Sequence, residues 1–406
     1  MVEWITQVNN TLNGIVWGWP ALILLAFVGV LTSCITRFFQ ISHLGHWMKH
    51  TIGAIFHDSE VTSHTADRSI SQFQSLCTAL AATVGTGNIV GVAGAILVGG
   101  PGAVFWMWLI AFFGMMTNYS ENVLGIFYRR KNELGEWSGG AMYYLRDGLG
   151  AKKGCKTVGK VLAAAFSVFC FLASFGIGNM TQVNSISGNV YSVFGVPTWA
   201  TGIVMLILCG LVIVGGLKRI ATVTEKIVPF MVLIYMVGTI AILVKNFAMI
   251  PAVFTAIFEG AFALKAAGGG IVGYGIKLAI EQGMKRGVFS NEAGLGSSVM
   301  VHSNSNVREP VRQGMWGIFE VFADTMVVCT LTAFTILSSG LIDLDTGIAV
   351  TEYAGVALTK ANLVSTVFTM NFGWLGGAFV AIAIVLFAYS TVLGWSHYGS
   401  KACEYL

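Results

Sequence analysis

The stretch Ala81-Ala82-Thr83-Val84-Gly85-Thr86-Gly87-Asn88 sits in the middle of an apolar run over 72–98. About 20 apolar residues are needed to cross roughly 30 Å of hydrocarbon, so the run reads as a membrane-spanning helix. Each glycine costs about 1 kcal/mol in a helix interior, yet lets the backbone approach a ligand closely. Two glycines with two threonines at mid-span therefore predict a break. An unwound segment here presents N–H groups at the start of the outer half-helix, where the dipole favours an anion. It also presents carbonyls at the end of the inner half-helix, which suit a small hard cation such as Na+. A zwitterionic amino acid with Na+ fits such a site. The competing explanation is close helix packing through small residues. Gly85-x-Gly87-x-x-x-Gly91 and Gly148-x-Gly150-x-x-x-Gly154 superficially evoke dinucleotide loops, but no strand precedes either.

Composition widens the argument to the whole chain. Of 406 residues, 55% are hydrophobic and only 10% charged, and the mean hydropathy is +0.75. Soluble domains carry about 25% charged residues. A soluble enzyme and a disordered chain are both excluded, and a polytopic membrane protein follows. The net charge of +4 argues against a nucleic-acid partner. Seven scattered cysteines include no CxxC pair, so neither a disulfide framework nor a zinc site is suggested. The start, MVEWITQVNN, is too acidic and polar for a cleaved signal peptide.

Spanning runs fall near 14–36, 72–98, 102–128, 160–190, 198–217, 227–247, 311–338 and 371–398, with an interrupted ninth over about 268–301. Residues 41–70 and 248–266 read as amphipathic or re-entrant pieces, and 345–362 as an external helix. The loop after the third run carries Arg129, Arg130, Lys131, Arg146, Lys152, Lys153, Lys156 and Lys160, which predicts that it is cytoplasmic. Counting back puts the N-terminus outside and Arg37, Lys49 and Arg68 inside. Counting forward puts Lys218, Arg219, Lys226, Arg308, Arg312 and Lys401 inside, and Glu259, Asp343, Asp345 and Glu352 outside. Lys277, Lys285 and Arg286 fall in the interrupted run and take no side. The last run ends about eight residues before the chain stops, so a longer protein with further helices is expected.

Two stretches read alike. Thr86-Gly-Asn-Ile-Val-Gly-Val is followed by Pro101 and a long span; Phe289-Ser-Asn-Glu-Ala-Gly-Leu-Gly is followed by Pro310 and another. By the span count they cross in opposite directions, which predicts an inverted repeat with one broken helix per half, an architecture of secondary transporters. Asn291, Glu292 and Gly294 then mark the second break. In a chain with 50 glycines, chance similarity is the alternative.

Polar residues inside spans name further candidates. Phe171, Phe175, Gly178 and Gln182 share one face at helical spacing, with Asn179, Thr181 and Asn184 nearby. They read as a pocket wall or as interhelical glue. Ser390 and Thr391, near mid-span, can complete a Na+ shell begun by carbonyls of the first break, or bond back to their own helix. Trp395 is an inner gate or an interfacial residue. Glu320 and Asp324 lie four apart on one face, and Asp324 is expected in an ion or coupling role. Glu121 lies near Arg129 and reads as interfacial.

The runs Gly85-Thr-Gly-Asn-Ile, Gly99-Gly-Pro-Gly-Ala, Gly139-Gly-Ala-Met-Tyr-Tyr, Gly176-Ile-Gly-Asn-Met, Arg286-Gly-Val-Phe-Ser-Asn-Glu-Ala-Gly-Leu-Gly-Ser and Gly394-Trp-Ser-His-Tyr-Gly resemble the alanine or glycine:cation symporters, the sodium:alanine symporter family. The resemblance runs from about 14 to 406. It implies an all-α, leucine-transporter-type inverted repeat in the cytoplasmic membrane, forming a single transmembrane domain. An extra helix at 14–36 precedes a first repeat over about 72–247 and a second from about 268, incomplete at 406. It implies Na+-coupled uptake of alanine or glycine, with no cofactor beyond the coupling ion and no enzymatic role. Carried over by position, the N–H groups of Thr86 and Gly87 bind the substrate carboxylate beside Gly85. Carbonyls of Ala81 and Val84 with the Ser390 and Thr391 hydroxyls form one Na+ site. The Thr83 carbonyl and Asn88 side chain form a second, although Asn88 serves equally well as a helix cap. A channel would favour oligomeric rings over an inverted pair in one chain. A membrane-embedded enzyme lacks an HExxH or GxSxG signature, and no P-loop supports ATP-driven transport. Oligomeric state is left open.

Overall fold

The computed structural model describes residues 2–64, 69–262 and 269–406. Within them the only strands are two short pairs, Arg130–Lys131 with Trp137–Ser138 and Glu352–Tyr353 with Val356–Ala357. In hydrocarbon every backbone N–H and C=O has to be satisfied within its own segment, which a helix does. Among the described residues, six helices are long and apolar enough to cross a membrane: Thr6–Ile35, Gly102–Tyr128, Lys156–Phe194, Gly216–Lys245, Pro310–Leu337 and Trp374–Tyr405. Gln72–Thr83 and Thr86–Gly99 are together long and apolar enough for a further crossing and are bent by 59° at the break. The protein is an all-α, multi-pass membrane protein. Arg68 lies outside the described residues.

Local chemistry sets the ends of the elements around the breaks. Ser71 and Gln74 form a reciprocal capping box that starts Gln72–Thr83. Pro310 opens Pro310–Val321, and Pro101 stands just before Gly102–Tyr128. In each case the missing N–H is one that a helix start leaves unpaired anyway.

Two broken helices lie side by side and antiparallel. The first has a leading half Gln72–Thr83 and a trailing half Val90–Gly99. The second has a leading half Gly269–Asn291 and a short trailing half Val299–His302. A methyl group on Gly99 would lie 3.1 Å from Gln282, one on Gly91 would lie 3.8 Å from Arg286, and one on Gly87 would lie 3.8 Å from Phe289. The numbers rise along one helix as they fall along the other. At the far end, Ile70 pairs with the strand-like segment after the second trailing half, donating to Asn304 O at 3.1 Å and accepting from Asn306 N at 2.9 Å. The glycines let the helices meet backbone to backbone.

The structure departs from the sequence reading in three places, at 345–362 and at two π-helical stretches, and it gives the 41–70 connector its form. Residues 345–362 are not a helix: Ala354 and Gly355, both with positive φ, turn the short strand pair. In the loop before it the exposed Asp343 accepts from the N–H groups of Asp345 and Thr346. These bonds, Thr346 first, hold its carboxyl below the usual range. The 41–70 connector is a chain of short helical turns within Phe39–Thr62. The helix over 160–190 widens to a π-turn at Gly176–Met180, which rotates the residues before it relative to those after it. A second π-stretch, Phe322–Cys329, follows Glu320 and contains Asp324. The two acids consequently engage different partners.

Candidate functional site

The helix of the opening stretch stops at Thr83. Val84 leaves helical geometry, Gly85 is extended at φ −125° and ψ −153°, and a 3-10 turn over Thr86–Asn88 restarts the chain. Asn88 holds this break. Its Oδ1 accepts from Gly85 N at 3.0 Å, and the same N–H reaches the Thr83 carbonyl at 2.9 Å. The Thr83 and Asn88 oxygens therefore converge on a single donor. Thr86 and Gly87 stand at the start of the turn, where N–H groups have no acceptor within it. Both are partly exposed, whereas Ala81, Val84, Gly85 and Asn88 are buried.

Two other helices close on the break. From Trp374–Tyr405, Ser390 Oγ approaches Ala81 O at 3.3 Å, and the Thr391 hydroxyl lies 2.4 Å from where a methyl on Gly85 would sit. Both hydroxyls also bond back to Phe387 O at 2.9 Å. From the Lys156–Phe194 helix, Gln182 Oε1 accepts from Thr86 Oγ1 at 3.0 Å. Gly178 packs directly on Trp395, so that an added methyl would lie 2.5 Å from Trp395 Cβ. Gly178, Gln182 and Trp395 are all buried.

Phe175 does not join them, whereas Phe171 is partly buried against the cluster that holds Trp395. Phe175 is 52% exposed. The two rings pack edge to face at 5.1 Å and line a groove with Ser174, Asn179 and Ser396 on another side of the helix. The π-turn between Phe175 and Gln182 separates the two sets. Asn179, Thr181 and Asn184 are exposed.

The second break differs in kind. Glu292, Gly294 and Gly296 all have positive φ, at 56°, 90° and 72°. Glu292 accepts from Trp395 Nε1 at 3.1 Å and from the Ser297 hydroxyl. Asn291 Oδ1 accepts from Ala293 N at 3.0 Å, and Gly294 N donates to Glu121 at 3.2 Å. Glu121 is thus a cap for this break, not an interfacial residue paired with Arg129. Arg129 instead donates to the carbonyls of Ser303, Ser305 and Val307.

Asp324 joins the two breaks. Fully buried, its carboxylate accepts from Asn88 Nδ2 at 2.6 Å and from the Ser290 and Thr325 hydroxyls, each at 2.8 Å. A buried carboxylate with three donors is stable only while they stay in place. Glu320 belongs to a separate network, accepting from Asn118 Nδ2 at 3.0 Å and contacting His302 Nε2 at 2.9 Å.

Comparison with known proteins decides what this architecture serves. The model of the sodium:alanine symporter family matches residues 2–406. The chain belongs to that family. The sodium/alanine symporter AgcS of Methanococcus maripaludis is 44% identical over 397 residues, 98% of this chain and 83% of that protein. A putative sodium/proton-dependent alanine carrier protein, YrbD of Bacillus subtilis, is 37% identical over 98% of this chain and 78% of its own length. A probable sodium/glutamine symporter of the same organism, GlnT, is 34% identical over 100% of this chain and 78% of its own length. The chain is therefore a Na+-coupled amino-acid symporter and not an enzyme, with Na+ as coupling ion.

Sequence reading did not place Ser290, Glu121 or His302 in these hydrogen-bond networks. Ser290 lies inside the Arg286–Ser297 run, where a hydroxyl before Asn-Glu was a usable signal. Glu121 carried the general signal of an acid within a span. His302, in Val-Met-Val-His, gave no periodic sign of its partner Glu320.

Proposed function

We propose that this symporter couples Na+ influx to uptake of alanine or glycine across the cytoplasmic membrane, with its N-terminus outside. One observation carries the reading: the hydroxyls of adjacent Ser390 and Thr391 face the carbonyl end of the first leading half, at Ala81 and Gly85. Carbonyls of Ala81 and Val84 with these hydroxyls make an all-oxygen shell for Na+. The Thr83 and Asn88 oxygens, already converging on one N–H, are the start of a second ion site beside Asp324. The substrate carboxylate takes the N–H groups of Thr86 and Gly87, at the positive end of the trailing half-helix.

The antiparallel pairing of the broken helices supports an inverted repeat, with the first half over about 72–247 and the second from about 268. Asn291, Glu292 and Gly294 belong to coupling, through Trp395 and Asp324. Small substrates are favoured because Gly178 and Trp395 already touch, with Gln182 fixed on Thr86. A potential of 100 mV supplies about 2.3 kcal/mol for each charge moved, enough for roughly 40-fold accumulation.

Radiolabelled alanine uptake by the purified protein in proteoliposomes tests this. Accumulation is expected under an inward Na+ gradient, with competition by glycine and little by valine or glutamine. Equal uptake in Na+ and choline, or stronger competition by glutamine than by glycine, contradicts it.

A further inference from the structure

We propose that Arg286 and the cavity beside it form an outer receiving site for the carboxylate of the incoming amino acid, one aromatic ring away from the first break. The inference rests on the reading that the break itself takes the substrate carboxylate. A guanidinium keeps its charge at every physiological pH and offers five donors and no acceptor. Held partly buried in the helix Gly269–Asn291, it calls for an anionic or carbonyl partner. Among the described residues Arg286 has no ion pair or hydrogen bond; its guanidinium lies 5.6 Å over the Phe289 ring. The adjacent Lys285 takes the nearby acid, Glu281, at 2.5 Å.

The free guanidinium borders a cavity of about 260 Å³, lined also by Asn13, Trp17, Gln282 and Phe289. That volume admits a small amino acid, and the two amides offer neutral hydrogen-bonding groups. Phe289 closes the cavity toward the break, with its ring 3.8 Å from where a methyl on Gly87 would sit. On the neighbouring trailing half, methyls on Gly91 and Gly94 would lie 3.8 and 4.0 Å from the Arg286 side chain, and the aliphatic stem of Lys360 would lie 3.6 Å from the latter. The Arg286 charge over this glycine face, with the stem of Lys360 beside it, raises the local concentration of carboxylates. Their path then leads past a single ring to the N–H groups of Thr86 and Gly87.

The test is alanine uptake against alanine concentration at saturating Na+, for the parent, Arg286→Lys and Arg286→Gln. Arg286→Gln is expected to raise half-saturating alanine about tenfold, the worth of one charge-assisted hydrogen bond. Its maximal rate should stay within about twofold. Arg286→Lys should recover most of the loss, and half-saturating Na+ should not move in either variant. Asn13→Asp, which sets a competing carboxylate at the exposed rim of the cavity, should give a similar rise and covers the case in which Arg286→Gln does not insert. Unchanged half-saturating alanine in Arg286→Gln, or in Asn13→Asp where the former fails to insert, overturns the proposal. So does a fall in maximal rate alone. Alaninamide, which lacks the carboxylate, separates the two levels. If it competes as well as alanine in the parent, the carboxylate reading of the break fails, and the outer site with it. If it competes poorly while Arg286→Gln behaves as parent, only the outer site fails.

Discussion

At the first break the chain leaves helical geometry through Val84 and Gly85 and uses one neutral side chain, Asn88, to hold the turn. At the second, three positive-φ residues make a longer detour, held by two carboxylates, Glu292 and Glu121, with Ser297, Trp395 and Asn291. In the first, the N–H groups of Thr86 and Gly87 have no acceptor within the turn, and the Ala81 carbonyl meets a hydroxyl of another helix. In the second, side chains already occupy the equivalent groups. Under the proposed function the difference divides the tasks: the first break would bind, and the second would carry movement to the helix that bears Trp395. Asp324 is where the two meet.

Substitutions at the paired glycines should separate these tasks most strongly. Gly85→Ala places a methyl 2.4 Å from the Thr391 hydroxyl. It is expected to cut Na+-driven uptake by about 100-fold while the protein still elutes as a sharp peak, because ion and substrate groups are displaced together. Gly294→Ala, at φ 90° and 2.7 Å from Leu25, should instead lower thermal stability, by about 1–2 kcal/mol from the left-handed backbone alone. Loss of stability in the former and of transport alone in the latter would reverse the assignment.

Asp324→Asn keeps the shape of the joint and removes its charge. Half-saturating Na+ is expected to rise by about tenfold or more, since a buried anion no longer balances the ion. Sodium activation curves in proteoliposomes measure this, and an unchanged curve would confine Asp324 to structure.

Thr391→Ala removes an oxygen that Thr391→Ser keeps. The alanine variant should weaken Na+ activation by several-fold, on the order of 1 kcal/mol, and the serine variant by less. Equal curves for both would leave the hydroxyl with only its bond to Phe387 O.

The smallest effect belongs to Phe175→Ala. With its ring 52% exposed, the variant should keep the parent's competition profile among glycine, alanine, serine and valine, within about twofold. Gly178→Ala, pressed on Trp395, should abolish uptake. A shift toward valine in Phe175→Ala would return that ring to the pocket wall.

These contrasts also explain how much was legible in advance. Spans and breaks were readable because glycine inside an apolar run has few other uses, and Pro101 and Pro310 punctuate the helices that follow the two breaks. The Ser390–Thr391 pair was readable for the same reason: adjacent hydroxyls are costly at mid-span. Phe175 falls away from Gln182 because helical spacing assumes 3.6 residues per turn, and the π-turn at Gly176–Met180 breaks that count. Glu320 and Asp324 were grouped on one face for the same reason. The roles of Glu121 and Ser290 depend on contacts with residues 173 and 34 positions away, which no local pattern reports.

Binding of labelled Na+ to the purified protein without substrate, compared between Thr391→Ala and Glu292→Gln, puts the division of labour to its most direct test. Thr391→Ala is expected to weaken Na+ binding several-fold. Glu292→Gln should leave it within about twofold of the parent while slowing uptake, because its carboxylate holds Ser297 and Trp395 and not the ion. Parent-like Na+ binding in Thr391→Ala together with weakened binding in Glu292→Gln would place the ion at the second break and contradict the account.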